Sequence, residues 1–387
     1  MENNGQPTNA FVEVAEVQKQ TKTKYCAGLD FHPFSGGFKG NYDIYNRALS
    51  GEEVKFLEDE VYPVYNNLLK ITTTLNDSQR SDLAFMLSSI QCYAFKVINI
   101  LVKKCNVRVF KPQAGFYEQF GPAGYVLLQK IREYIKSLEK TYGRIICILD
   151  CKRGDIATTQ TAYILGLMGN LLEDWGIDYS PFDFDIINVT PWMGLDVMAV
   201  GSKEKPGIGL KLMQAGKGII VVNNTSNPTG PRYQKQIIDG ERGDLIPLQM
   251  LNVMDLASLS KEFNLEVSGL SSIGLVVGST YVCTGEIRQA FPSSTLLVPG
   301  FGAQDGKFSN IMQELIPSGP YAGYGAIFSS SRGTLYSFEK KFGGSGDVKN
   351  LEKDLITSIT NFRIAEEEAF KEPGLKEKGI IYPFSES

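Results

Sequence analysis

Ile145-Ile146-Cys147-Ile148-Leu149-Asp150-Cys151-Lys152-Arg153-Gly154-Asp155-Ile156 is the stretch on which the reading of this chain turns. Its apolar, β-branched run reads as a buried strand ending near Cys151, with the charges at its C-terminal end. Side chains alternate along a strand, so Asp150 and Lys152 share a face. Asp155 follows where the chain turns into a helix beginning around Ile156. Two carboxylates and two cations within six residues are costly to gather beside an apolar strand unless they pair or act on something. A solvated loop would explain their polarity, but not an acid and an amine on one face followed by a second acid at a helix start.

Seven further short apolar runs flank this one, at 25–31, 107–111, 184–189, 218–222, 273–278, 295–299 and 325–328. Helical patterns separate them: Gly121-Pro122 opens one that runs to about Lys140, another spans Ile156 to about Leu172, and a closing one spans 347–371. Eight strands alternating with helices, without repeats or a linker, predict a single-domain α/β fold, the (β/α)8 TIM barrel, over 25–371. At 387 residues the chain exceeds the ~250 typical of that fold. Helical insertions near 32–105 and 232–265 account for the excess, the first broken at Asn76-Asp77-Ser78, a plausible N-cap. Residues 1–24 read as a polar N-terminal extension and 372–387 as a polar C-terminal tail.

Composition narrows the function classes. A net charge of −4 without a Lys/Arg-rich tract argues against nucleic acid as a partner. No apolar run approaches the roughly 18 residues of a membrane span, and the first 24 residues lack the apolar core of a signal peptide. Six scattered cysteines, several in apolar runs, fit reduced thiols of a cytoplasmic protein. His32 is the only histidine, so a His-rich metal site is excluded, and beside Pro33 it reads as a loop residue.

A barrel of this kind builds its active site at the C-terminal ends of its strands. Asp30 ends the first strand, Lys111 the second, Asp150 and Lys152 the third, and Thr225-Ser226-Asn227 follow the fifth. Pro299-Gly300-Phe301-Gly302-Ala303-Gln304-Asp305-Gly306 follow the seventh and Ser329-Ser330-Ser331-Arg332-Gly333 the eighth. Loops after strands seven and eight often bind phosphate through backbone N–H groups. Here Gly300, Gly302 and Gly306 allow close approach, Gln304 offers an amide and Arg332 a bidentate cation.

Asp150-Cys151-Lys152-Arg153-Gly154-Asp155-Ile156-Ala157-Thr158-Thr159 resembles the D-x-K-x-x-D-I-x-x-T signature of the orotidine 5′-phosphate decarboxylase family, and 299–306 is similar to that family's P-G-x-G-A-Q-x-G phosphate loop. With the other strand ends in matching order, the resemblance covers about 25–332. It implies decarboxylation of orotidine 5′-monophosphate to UMP, the last step of pyrimidine nucleotide synthesis, without a cofactor or metal. It implies that Lys152 protonates C6 as CO2 leaves, that Asp150 lies against the scissile carboxylate, and that Lys111 and Asp155 complete an alternating Lys-Asp-Lys-Asp network. It further implies a homodimer in which Asp155 and Thr159 reach the partner's site, ribose contacts from Asp30 with Gln113 nearby, pyrimidine contacts from Ser226 on the Thr225 turn, and phosphate contacts from Gly302, Gln304 and Arg332.

The chain departs from the pattern at Ala157, where Gly is usual, at Phe301, where a smaller aliphatic is common and an aromatic ring is expected to crowd the phosphate loop, and at Gln113, where some members place Asn. A metal-dependent 3-keto-gulonate-phosphate decarboxylase shares the D-x-K-x-x-D strand, but Lys111 at the second strand end would repel its metal. A Schiff-base aldolase using Lys152 needs a neutral amine, which the flanking carboxylates oppose. A non-catalytic phosphate-binding barrel has no use for four charged network residues, and no spare domain houses a preceding phosphoribosyltransferase.

Overall fold

The computed structural model of the chain describes residues 8–31, 37–239, 245–301 and 306–384. Its strands are β1 (Tyr25–Gly28), β2 (Val109–Lys111), β3 (Ile146–Arg153), β4 (Ile186–Val189), β5 (Gly218–Asn224), β6 (Ile273–Val277), β7 (Thr295–Pro299) and β8 (Ala326–Ser330). They hydrogen-bond into a closed barrel in the order β1-β8-β7-β6-β5-β4-β3-β2. The eight runs therefore form the (β/α)8 barrel that their spacing predicts. The principal helices are α1 (Ala10–Thr21), α2 (Asp77–Lys103), α3 (Pro122–Tyr142), α4 (Ala157–Met168), α5 (Leu248–Glu262) and α6 (Leu351–Ala369). The chain divides into two compact units, one of Met1–Cys26, Ile146–Ser330 and Phe362–Ser387, the other of Ala27–Ile145 and Ser331–Asn361.

In the first unit, strands rich in Ile, Val and Leu are buried along their apolar lengths, as parallel strands covered on both faces must be. The polar reading of 1–24 misses a helix, because Glu13, Glu16 and Lys19 mask a face of Phe11, Val14, Ala15 and Val17 that is buried. Asn9 caps α1, its Oδ1 accepting from Phe11 N (3.0 Å) and Val12 N (2.9 Å). The Phe11 ring lies over the starts of β5 and β6, where a Cβ on Gly218 or Gly274 would come within 3.1 or 2.9 Å of it.

The tail beyond 371 is likewise docked: Leu375, Ile380 and Phe384 are buried. Phe384 joins Phe370 in a ring cage around Lys24, whose Nζ lies 4.5 and 4.7 Å from their centroids. Lys24 and Glu366 form an ion pair at 3.2 Å with both side chains out of water, and Thr23 Oγ1 donates to the same carboxylate at 2.9 Å. Burial pushes the Lys24 ammonium below its ordinary pKa, and Glu366 opposes that shift. Within 232–265 the expected helix is α5, and a short antiparallel strand pair, Ile237–Asp239 against Leu245–Pro247, precedes it. Ile237, Ile238, Leu245 and Ile246 favour extended backbone there.

In the second unit, α2 packs between the helix Tyr62–Thr72 and α3. Asn76 caps it in a capping box with Gln79, as the break in the helical pattern predicts. By length and composition α2 is apolar enough to cross a membrane, but 72% of its most apolar window is buried in the fold. Its mean apolarity comes from a core face, not from one unbroken apolar run.

Candidate active site

Two of the four charges in 150–155 meet. Lys152 Nζ donates to Asp150 Oδ1, with Asp150 nearly buried and Lys152 partly exposed. Simple alternation along β3 does not bring this about. Between Leu149↔Ile187 and Arg153↔Val189 the β3–β4 register slips, and Lys152 adopts φ +47, the left-handed region that a long side chain rarely occupies. Such a conformation costs about 1–3 kcal/mol and persists only where surrounding structure imposes it.

The imposing group is on the next strand. Asn188, 1% exposed, accepts from Cys151 N (2.8 Å) and Lys152 N (2.7 Å) through Oδ1, and its Nδ2 donates to Asp150 Oδ1 (2.7 Å). Sequence reasoning passed over Asn188, although a polar residue inside the apolar run Ile186-Ile187-Asn188-Val189 was the available signal. Cys151 sits between the two charged residues, but burial pushes its thiol up to about 11, so it stays protonated at neutral pH. Arg153, to which the sequence assigned no role, lies over the Tyr163 ring at 5.3 Å. Gly154 is required by a close approach, since a Cβ there would stand 2.3 Å from Thr190 Oγ1.

Asp155 precedes α4 and accepts from Ile156 N at 2.7 Å, and Thr159 is exposed on the first turn of that helix. Ile156 and Tyr163 are exposed there too, as are Trp192 and Met193 after β4. The turn after β5 is held from the 232–265 excursion. Gln234 accepts from Thr225 N (3.1 Å) and donates to Thr225 Oγ1 (2.7 Å). Asn252 donates to Asn223 and Asn224 to Gln249, whose amide donates to Tyr281. Ser226 passes so close to β6 that a Cβ on Gly278 would lie 2.7 Å from its backbone nitrogen. A cavity of about 620 Å3 opens beside the ends of β4 and β5, lined by Thr190, Trp192, Asn223, Tyr233 and Gln249 among others.

The second unit places Asp30, Lys111, Gln113 and Arg332. Asp30 is buried after β1; Ser331 Oγ donates to its Oδ2 at 2.6 Å, while its Oδ1 is buried without a hydrogen-bond partner. An unsatisfied buried carboxylate oxygen is costly and marks a position built to accept from something else. A Cβ on Gly28 would fall 1.9 Å from Ser331 Oγ, so only glycine permits this contact. Lys111 is 3% exposed at the end of β2, and its carbonyl accepts from Leu29 N at 3.1 Å. Gln113 Oε1 accepts from Gly115 N at 2.6 Å, at the start of the short helix Gly115–Glu118. Arg332 opens the helix Arg332–Leu335, the last residue of which receives the Tyr93 hydroxyl of α2. Tyr117 donates to Leu29 O at 2.8 Å, so buried tyrosines of the first excursion and of 115–118 brace both elements.

Of the phosphate loop, Gly300 has φ +110 and Phe301 is buried. Gly302, Ala303, Gln304 and Asp305 lie outside the described residues, as does His32. Phe301 was expected to crowd that loop, most of which lies outside the described residues. Its ring packs into the core against Phe308, Phe328 and Phe362, at centroid distances of 4.7, 5.0 and 6.0 Å.

No family model matches the chain. Over 252 residues it is 33% identical to an orotidine 5′-phosphate decarboxylase of Rhodopirellula baltica, covering 65% of this chain and 74% of that one, so this chain is the longer. An enzyme of the same name from Caldicellulosiruptor bescii is 27% identical over 264 residues, 68% of this chain and 78% of its own. Among solved structures, an orotidine 5′-monophosphate decarboxylase of Plasmodium berghei superposes with a TM-score of 0.61 at 16% identity, over 93% of this chain and 98% of that one. That likeness speaks for the fold.

Proposed function

The chain belongs to the orotidine 5′-phosphate decarboxylase family, and we propose that it decarboxylates orotidine 5′-monophosphate to UMP and CO2, the closing step of pyrimidine nucleotide synthesis, in the cytoplasm and without a cofactor. The observation that carries the reading is the Asp150–Lys152 pair held on a strained strand end in a relative of enzymes of that name.

Loss of CO2 from C6 of the pyrimidine builds negative charge on a ring carbon with no electron sink. A fixed ammonium beside that carbon stabilises the charge and supplies the proton that replaces CO2, which is the role we assign to Lys152. Asp150 lies against the departing carboxylate, the Lys111 and Lys152 ammonium groups offset the negative charge gathered there, and Asp155 completes the alternating Lys-Asp-Lys-Asp network. The open oxygen of Asp30 supports a ribose-hydroxyl role, because a hydroxyl donor satisfies it. Ser226 on the Thr225 turn reads the pyrimidine edge. Gly302, Gln304 and Arg332 hold the phosphate, whose binding energy positions the ring. Gln113, its carbonyl already accepting from Gly115 N, contributes its amide near the ribose.

The test follows loss of the orotidine chromophore with EDTA-treated protein. Turnover that survives EDTA is expected; turnover restored only by a divalent metal would make the reaction metal-dependent, and no turnover with or without metal would refute the reading.

We extend the proposal to a homodimer in which Asp155 and Thr159 serve the neighbouring subunit's site. Support comes from exposed Ile156, Tyr163, Trp192 and Met193 around them, an apolar surface of the kind that a two-fold interface covers. Mixing inactive Lys152→Ala with inactive Asp155→Ala is expected to restore about a quarter of the parent activity, the share set by random pairing of two-site dimers. Subunit exchange without any recovery would sink the shared site.

A further inference from the structure

We propose that Asn188 is a positioning residue for the reaction, a single amide that sets the backbone of Lys152 and the carboxylate of Asp150 together. The proposal rests on the decarboxylase reading for its chemistry and on the β3–β4 geometry for its structure.

The orientation of the amide is settled by its neighbours. Two backbone N–H groups, from Cys151 and Lys152, converge on one end of it at 2.8 and 2.7 Å, and only the oxygen accepts hydrogen bonds. The NH2 end therefore faces Asp150 Oδ1 at 2.7 Å, where it meets an acceptor. Three hydrogen bonds at one side chain, itself 1% exposed, leave Asn188 little freedom to shift.

Each bond has a separate consequence. The two N–H contacts hold the strand slip and the φ of +47 at Lys152, a conformation that β3 alone would relax out of. The NH2 contact fixes the rotation of the Asp150 carboxylate, whose Oδ1 also receives Lys152 Nζ. The ammonium and the carboxylate are thus placed by one rigid plane on a neighbouring strand. Among the described residues the side-chain hydrogen bonds of Asn188 run to β3, to Asp150, Cys151 and Lys152, and none runs to the Thr225 turn. Its loss should therefore act on the chemical step more than on substrate binding. Asn188→Leu removes all three bonds at similar volume. Asn188→Asp keeps the acceptor for both N–H groups and loses the donor to Asp150.

The experiment measures kcat and KM for orotidine 5′-monophosphate with the full chain in parent, Asn188→Leu and Asn188→Asp. A misplacement of reacting groups by about 1 Å costs roughly 100-fold, so Asn188→Leu should lose about 100-fold in kcat with KM within about threefold. Asn188→Asp should fall between it and the parent. A kcat within about threefold of the parent for Asn188→Leu, or a KM rising as steeply as kcat falls, overturns the proposal. Should Asn188→Leu fail to fold, Asn188→Asp is judged by the same two criteria. A parent without turnover would refute the decarboxylase reading instead. The clamp would then be decided by crystal structures: it stands if Lys152 leaves the left-handed region in Asn188→Leu, or, where that variant does not fold, if the Asp150 carboxylate turns in Asn188→Asp, and it falls if the variant that folds keeps the parent geometry.

Discussion

Lys152→Ala is expected to lower kcat at least about 1000-fold, the scale lost when a preorganised group facing developing charge is removed. Its side chain ends on Asp150 beside the strand end and is the only cation that β3 directs there by a forced backbone conformation. Alanine removes the ammonium and its proton but keeps a Cβ at φ +47, so the strain remains and the fold gains nothing. Lys152→Gly separates the two effects. Glycine accepts that φ freely, so this variant should unfold at a higher midpoint than Lys152→Ala, by about 1 kcal/mol, while being equally inactive. Stopped or continuous loss of the substrate chromophore, beside a denaturant midpoint for each variant, checks both halves. Full turnover in Lys152→Ala would refute the assigned role, and a glycine variant less stable than the alanine one would refute the strain.

The second large effect is on stability. Glu366→Leu should cost about 3–5 kcal/mol, because removing one member of a buried pair leaves the other uncompensated. Lys24 is enclosed by Tyr324, Phe370 and Phe384 and has no path to water, so in the variant it must stay charged at high cost or give up its proton. Burial already pushes its pKa down, and only Glu366 pulls it back. Replacing both, Lys24→Met with Glu366→Leu, should recover most of the loss, since well-packed apolar side chains often match a buried ion pair. Guanidinium midpoints of the single and double variants measure this. A single variant within about 1 kcal/mol of the parent would mean that the cage tolerates a lone amine.

The barrel, and the charged residues at its strand ends, were legible in the sequence for a definite reason. Eight short, largely β-branched runs alternating with helical stretches admit few other arrangements, and Asp30, Lys111, Asp150 and Lys152 all fall where strand ends place them. What was hidden depended on contacts between distant segments. Asn188 gains its meaning from a strand 36 to 38 residues earlier, and Ser331 from Asp30, 301 residues away. Alternation predicted that Asp150 and Lys152 would meet, but not the slip that makes them do so. Residues 10–21 and the tail from 372 looked polar because their apolar residues are spaced for burial on one side only. The core place of Phe301 was hidden as well: the ring stands beside glycines in sequence, and the space that accepts it is made by Phe308, Phe328 and Phe362.

The pairing of Lys24 with Glu366 also bears on how the chain is made. The partners are 342 residues apart, and β1, which follows Lys24 directly, must find β8 as well as β2. At ribosomal speeds of about 5–20 residues per second, Lys24 waits tens of seconds for its counter-ion to emerge. During that interval its amine belongs in water and the first strand has one unmet edge. Barrel closure is thereby deferred until β8 and Glu366 have been made, and until then the chain is an open sheet with an unpaired edge.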